Sequence, residues 1–169
     1  MTRRRRITVT ALGVAGVLAV AAAAVGAAFI ATFRTQFEPG LALIRRMNKA
    51  VFNPSALATA GAPGSATSVV EHVGRRSGAT YRTPIGIVES DAGYLVTLPY
   101  GTTADWVKNV LAAGSANLIH EGATVSVVRP EVVPLGAVEG MLSAREVRNA
   151  RLFGIDRFLV LQPSGDDTA

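Results

Sequence analysis

The residues of this chain that bear most directly on chemistry are Gly74-Arg75-Arg76-Ser77-Gly78, followed by Arg82 and Thr83. Glycines admit positive φ, so backbone N–H groups can converge on an anion as a nest. Arg75, Arg76 and Arg82 add planar guanidinium forks suited to phosphate or carboxylate oxygens, and Ser77 and Thr83 add hydroxyl donors. The Gly-Lys-Ser/Thr ending of a Walker A loop is missing. A solvated hairpin turn has the same composition, and spacing alone does not separate it from an anion site.

A second constellation is Leu98-Pro99-Tyr100-Gly101, followed by Asp105-Trp106-Val107-Lys108-Asn109-Val110. A glycine ahead of a helix leaves free N–H groups and the positive end of the helix dipole near any ligand lying there. Trp106 falls in the first turn, where it serves either as a core aromatic or as a ligand contact. Lys108 reads as a surface residue. The two histidines, His72 and His120, read as hydrogen-bonded structural residues, with proton donation as the alternative. No Ser-His-Asp or paired-carboxylate arrangement stands out. The chain has no cysteine, which excludes thiolate metal sites, cysteine nucleophiles and disulfides, and two histidines are too few for a His-rich metal site. Any enzymatic chemistry here must come from a cofactor.

The elements that would position these residues are short. Ser68–Val73, Thr83–Val88 and Gly93–Leu98 read as strands, the last two joined at Asp91-Ala92-Gly93. Ala104–Ala113 reads as a helix with Thr103 as N-cap, i,i+4 pairs Trp106/Val110 and Val107/Leu111, and Gly114 as its stop. Asn117–Ile119 and Thr124–Val128 form a second hairpin around Glu121-Gly122, and Val132–Val138 continues the sheet. Ser143 and Glu146 form a capping box for a helix reaching Phe153, and Phe158–Leu161 is a last strand. This pattern predicts a mainly β, α+β domain: a small closed or partly closed antiparallel barrel with one or two packed helices.

The 169 residues allow one domain plus extensions. After Arg3-Arg4-Arg5-Arg6, the run Ile7–Phe33 carries no charge and exceeds the roughly 20 residues a membrane-crossing helix needs. It predicts a transmembrane helix or signal anchor; a cleaved signal and a buried core helix are the alternatives. Arg3–Arg6 precede the run, whereas Arg34, Arg45, Arg46 and Lys49 follow it, so charge does not fix which side the domain occupies. The net charge is +5 and the N-terminal cluster supplies +4 of it, so nothing points to nucleic acid. Residues 34–66 are expected to be an amphipathic helix over Phe37–Phe52 and then a linker. That helix rests either on lipid headgroups or on its own domain. Residues 67–162 form the barrel domain, and 163–169 a tail.

In order and spacing, Gly74-Arg75-Arg76-Ser77-Gly78, Thr83-Pro84, Asp91-Ala92-Gly93-Tyr94, Asp105-Trp106-Val107-Lys108-Asn109 and Ala112-Ala113-Gly114 together resemble the deazaflavin-dependent nitroreductase family of actinobacteria. The resemblance runs from about Met47 to Leu161. It implies a split β-barrel of the FMN-binding type and coenzyme F420, whose anionic tail the basic turn would cradle. By that resemblance Arg75, Arg76, Ser77 and Gly78 match the phosphate-binding segment and Thr83 and Pro84 the strand after it. Trp106 and Asn109 match the helix beside tail and ring. Leu98, Pro99, Tyr100 and Gly101 stand where the family's best-known members carry Ser-Lys-Gly-Gly, so a Pro-Tyr-Gly branch is closer. Members that activate nitro drugs carry several tyrosines near the C-terminus; here only Phe153 and Phe158 are found, which argues for a more apolar acceptor.

The sequence therefore leads to the expectation of a single-pass, membrane-anchored oxidoreductase. It would pass a hydride from reduced F420 to an electron-poor acceptor, quinone-like or unsaturated, with Tyr100 as proton donor or ring contact. Membrane lipids are its expected surroundings, and a homodimer is allowed by analogy. Its rivals are a non-catalytic module binding F420 or lipid at the membrane, and a split-barrel reductase using FMN.

Overall fold

The structure, a computed structural model, describes residues 2–48, 50 and 53–165, with side chains described from Leu18 onward except at 53 and 54. The side chains of Arg3–Arg6, the residues Lys49, Val51 and Phe52 of the expected amphipathic helix, and positions 166–169 of the expected tail lie outside the described part. Three helices come first: α1 (Thr2–Arg34), α2 (Glu38–Met47) and α3 (Asn53–Leu57). Strands β1 (Ser68–Val73), β2 (Thr80–Ile85), β3 (Ile87–Ser90) and β4 (Gly93–Thr97) follow. A 3₁₀ turn over Gly101–Thr103 then leads into α4 (Asp105–Ala113). The chain continues with β5 (Ser115–His120), β6 (Ala123–Pro134), α5 (Leu135–Val138), α6 (Ala144–Phe153) and β7 (Arg157–Pro163).

The seven strands form one sheet in the order β2-β1-β5-β6-β7-β4-β3, antiparallel at every pairing. The sheet is strongly curled. His120 at the end of β5 reaches Glu89 on the β3 edge at 2.8 Å, although three strands separate them in the sheet order. The same imidazole meets Ser68 on β1 at 2.8 Å and the Tyr94 ring on β4 edge-on. The concave side holds a core of Val70, Val96, Leu98, Val107, Val110, Leu118, Val127, Leu159 and Leu161, with α4 inserted into it. Because side chains alternate along a strand, Leu95, Phe158 and Val160 face the other way and pack with Val138 and Ala150 of α5 and α6. That double burial explains why β7 reads as an unbroken apolar run, Phe158–Leu161.

Several local expectations change. Thr83–Val88 is two strands, because the chain breaks at Gly86 and β3 belongs to the opposite edge of the sheet. Thr103 is not the cap of α4: the Ala104 backbone takes that place, and the Thr103 hydroxyl donates instead to the Tyr100 carbonyl at 3.1 Å. β6 stops at Pro134, so Val132–Val138 is half strand and half helix. The segment after α3 is not a free linker. Gly61 is bonded to Thr67 and Gly122 and lies so close to Ile119 that a Cβ there would sit 2.8 Å from its methyl. By contrast, the capping box of α6 and the left-handed Gly114 after α4 form as expected.

Among the described residues no single helix is long and apolar enough to cross a membrane; Leu18–Arg34 and Glu38–Met47 satisfy length and composition only together, bent by 107°. As a backbone helix α1 is 33 residues long.

Candidate functional site

The two sequence constellations meet at one point. The β1–β2 turn is closed by Gly74 N–H donating to the Ala79 carbonyl and Gly78 N–H to the Gly74 carbonyl, both at 2.8 Å. Gly78 takes φ +67°, the left-handed backbone that glycine supplies without strain. From this turn Arg75 reaches α4. Its guanidinium donates to Asn109 Oδ1 at 2.8 Å and to Asp105 Oδ1 at 3.0 Å, and its backbone N–H donates to the same Asn109 oxygen at 3.2 Å. Asn109 is buried and pairs through Nδ2 with His72 Nδ1 at 3.2 Å, and His72 Nε2 in turn meets the Thr83 hydroxyl at 3.2 Å. One polar chain, Arg75–Asn109–His72–Thr83, thus ties turn, helix and two strands together.

Charge follows from this geometry. The Arg75 hydrogen bond is the main cause holding the Asp105 carboxyl below its usual range, with Lys108 and Arg76 adding weaker attraction. Burial depresses the pKa of His72, so the ring is neutral at pH 7 and can accept from Asn109.

The predicted residues therefore divide. Arg75 and Asn109 are held by each other and act as positioning groups. Arg82 lies on the opposite sheet face from Tyr81 and Thr83 and pairs with Glu71 at 3.8 Å. Pro84 also falls on that far face, opposite Val69. Ser77 turns its hydroxyl to Tyr81 at 3.1 Å. Arg76 is exposed and, among the described residues, has neither hydrogen bond nor ion pair; the N–H groups of Arg76 and Ser77 likewise find no acceptor among the described residues. The expected cradle of three arginines is thus one arginine beside two amides.

On the far side of α4, Leu98 is core and Trp106 packs half-buried against the same cluster. Pro99 and Gly101 shape the corner: the Gly101 N–H donates to the Leu98 carbonyl at 2.9 Å, with φ +62°. Tyr100 leaves this corner toward the N-terminal helices. Its ring lies 5.7 Å from that of Phe33, and its oxygen accepts from Asn48 Nδ2 at 2.6 Å. Burial raises the Tyr100 pKa, with Arg45 pulling the other way.

One participant, Tyr81, escaped the sequence reading, and another, Asp105, stood in the second motif without a role. Tyr81 stacks on His72 at 5.8 Å, and the period-two spacing of Tyr81 and Thr83 was the signal for it. Asp105 was visible only as an acidic residue in a helix's first turn. An open cleft of about 330 Å³, lined by residues including Glu71, Asn117 and Ser126, does not include the Arg75–Asn109 contact; these three side chains lie on the sheet face opposite it. No group of residues able to hold a metal ion is found among the described residues.

No family model and no curated protein matches the chain. Among solved structures it is similar to HutZ, the heme storage protein from Vibrio cholerae, at 17% identity and TM-score 0.46, over 60% of this chain and 83% of that one. It is also similar to Atu2129, a protein of unknown function from Agrobacterium tumefaciens, at 17% identity and TM-score 0.43, over 68% of this chain and 55% of that one.

Proposed function

We propose that this chain is a membrane-anchored oxidoreductase of split-barrel type that uses reduced coenzyme F420 to reduce an electron-poor, lipophilic acceptor, quinone-like or unsaturated. The observation that carries the reading is the Arg75–Asn109 contact at 2.8 Å. It joins the Gly-Arg-Arg-Ser-Gly turn to the Trp-Val-Lys-Asn helix, the two motifs on which the family resemblance rests.

The residues present suit one anionic group. The Arg76 guanidinium and the N–H groups of Arg76 and Ser77 would hold a phosphate or carboxylate, because forked and convergent donors match such oxygens. Arg75 and Arg82 are engaged elsewhere and add only field. When bound, the coenzyme supplies a hydride from its ring. Tyr100 is the candidate proton source: its oxygen accepts from Asn48, which leaves the phenol proton to be given away. Arg76 would serve the phosphate of FMN equally well.

The test is a titration of F420 into the full chain in nanodiscs, followed through Trp106, the sole tryptophan. Saturable quenching is expected, with Arg76→Ala weakening it about tenfold or more, the loss of one charge-assisted hydrogen bond. Absorbance of the bound species distinguishes F420 from FMN. Absence of binding by a folded chain at tens of micromolar coenzyme would sink the proposal, and binding without turnover on any quinone would select the non-catalytic module.

A further inference from the structure

The corner between α1 and α2 has a geometry suited to a bilayer surface. Its tightness is built in. The Phe37 N–H donates to the Thr32 carbonyl at 3.1 Å, and Gly40 lies so close to α1 that a Cβ would stand 2.6 Å from the Thr32 methyl. Below the corner, α1 leaves Leu18, Val20, Val25 and Phe29 exposed. Above it, Phe33 is buried between Phe153 and Tyr100.

α2 is split in the same way. Leu41 is fully buried in the domain, while Leu43 and Met47, one helical turn apart, are 59% and 48% exposed. Phe37 at the corner is exposed too. Arg34 fixes α6 at this level by donating to the carbonyls of Arg151 at 2.9 Å and Leu152 at 3.3 Å, and Leu152 is again exposed. Arg46 on α2 and Arg148 on α6 are exposed and lack any hydrogen bond or ion pair to the described residues. An apolar rim interleaved with free arginines is the pattern of a surface that sits in anionic headgroups.

We infer that α2 and the C-terminal end of α6 form a collar that lies in the headgroup layer of an anionic phospholipid bilayer. In it Phe37, Leu43, Met47 and Leu152 enter the acyl boundary, and Arg46 and Arg148 meet lipid phosphates. The inference rests on the membrane part of the functional reading and extends it to the substrate. Tyr100 touches Phe33 and Asn48, one on each side of the corner, so the collar places its hydroxyl at the bilayer surface. An acceptor dissolved in lipid would reach it laterally, without crossing water.

The chain has no cysteine, so single-cysteine spin labels can be placed without background. Labels at Val25→Cys, Leu43→Cys, Leu152→Cys and Asp91→Cys are read for collision with oxygen against a water-soluble nickel chelate, in the full chain in phosphatidylglycerol-containing vesicles. Asp91 lies in the β3–β4 turn, at the end of β4 away from Tyr100. The expected result is oxygen preference at Val25, an intermediate preference at Leu43 and Leu152, and nickel preference at Asp91. Neutral lipid, or the Arg46→Gln/Arg148→Gln pair, should return Leu43 and Leu152 toward water while Val25 stays inserted. If Leu43 and Leu152 match Asp91 in anionic vesicles while Val25 is inserted, the collar is wrong and the anchor stands. If Val25 is also aqueous, the membrane reading falls and takes the collar with it.

Discussion

Asn109 is the residue on which the joined motifs depend, since all its polar atoms are committed: the oxygen to Arg75 twice, the nitrogen to His72. Asn109→Ala leaves the buried His72 ring without that partner, which costs about 1–3 kcal/mol, whereas the exposed Arg75 keeps Asp105. Urea unfolding should show a midpoint well below wild type. If the proposed coenzyme site is right, F420 affinity should fall as well, because the Arg76 loop loses its fixed position. His72 adds a pH signature. Burial lowers its folded pKa below the ordinary value of 6.5, so between the two pKa values the unfolded chain binds more protons than the folded one. Stability therefore rises with pH through that window and declines as pH falls below about 6.5. Denaturation midpoints measured down through the mildly acid range should drop, and His72→Gln should flatten that slope.

At the level of elements, two glycines with similar backbone roles predict different costs. Gly114 ends α4 with φ +71° and has open space around its Cβ position, so Gly114→Ala pays only the left-handed conformation, about 1–2 kcal/mol. Gly93 has φ +105°, and a Cβ there would collide with the Leu161 carbonyl, so Gly93→Ala must also disturb the β4–β7 pairing. Thermal melts of the two variants should rank Gly93→Ala clearly lower; equal melting points would contradict this packing. Such features divide what sequence can show. Gly114, the Ser143–Glu146 box and the Glu121-Gly122 hairpin were legible because each is local, fixed by residues within a few positions. The break at Gly86 and the face of Arg82 were not, since both depend on which distant strand lies alongside. The site was half legible: the motifs stood out, but that Arg75 would be consumed by Asn109 required knowing that α4 packs on the β1–β2 turn.

For the whole molecule, the exposed apolar face of α1 and the rim on α2 predict where the protein is found. On fractionation the full chain should stay with membranes through high salt and alkaline carbonate and leave only with detergent, because burial of apolar surface is indifferent to ionic strength. Release by salt alone would mean that the arginines, rather than α1, hold it there. The apolar run was plain in sequence and the corner after it is local, whereas the docking of α6 beside that corner was not legible, because Arg34 bonds residues more than a hundred positions away.

The position of β7 sets the order in which the protein can be built. It comes last of the seven strands in chain order, yet it stands between β6 and β4, and among the described residues it is the strand that connects the β4–β3 hairpin to the other four. Without Arg157–Pro163 in place the sheet would be two ribbons with open edges, and Leu95 and Val96 would lack their partners on β7. If α1 is already in the bilayer by then, it tethers those ribbons at the membrane surface throughout. Assembly would then finish as a single late insertion, on a molecule held in place from its first helix.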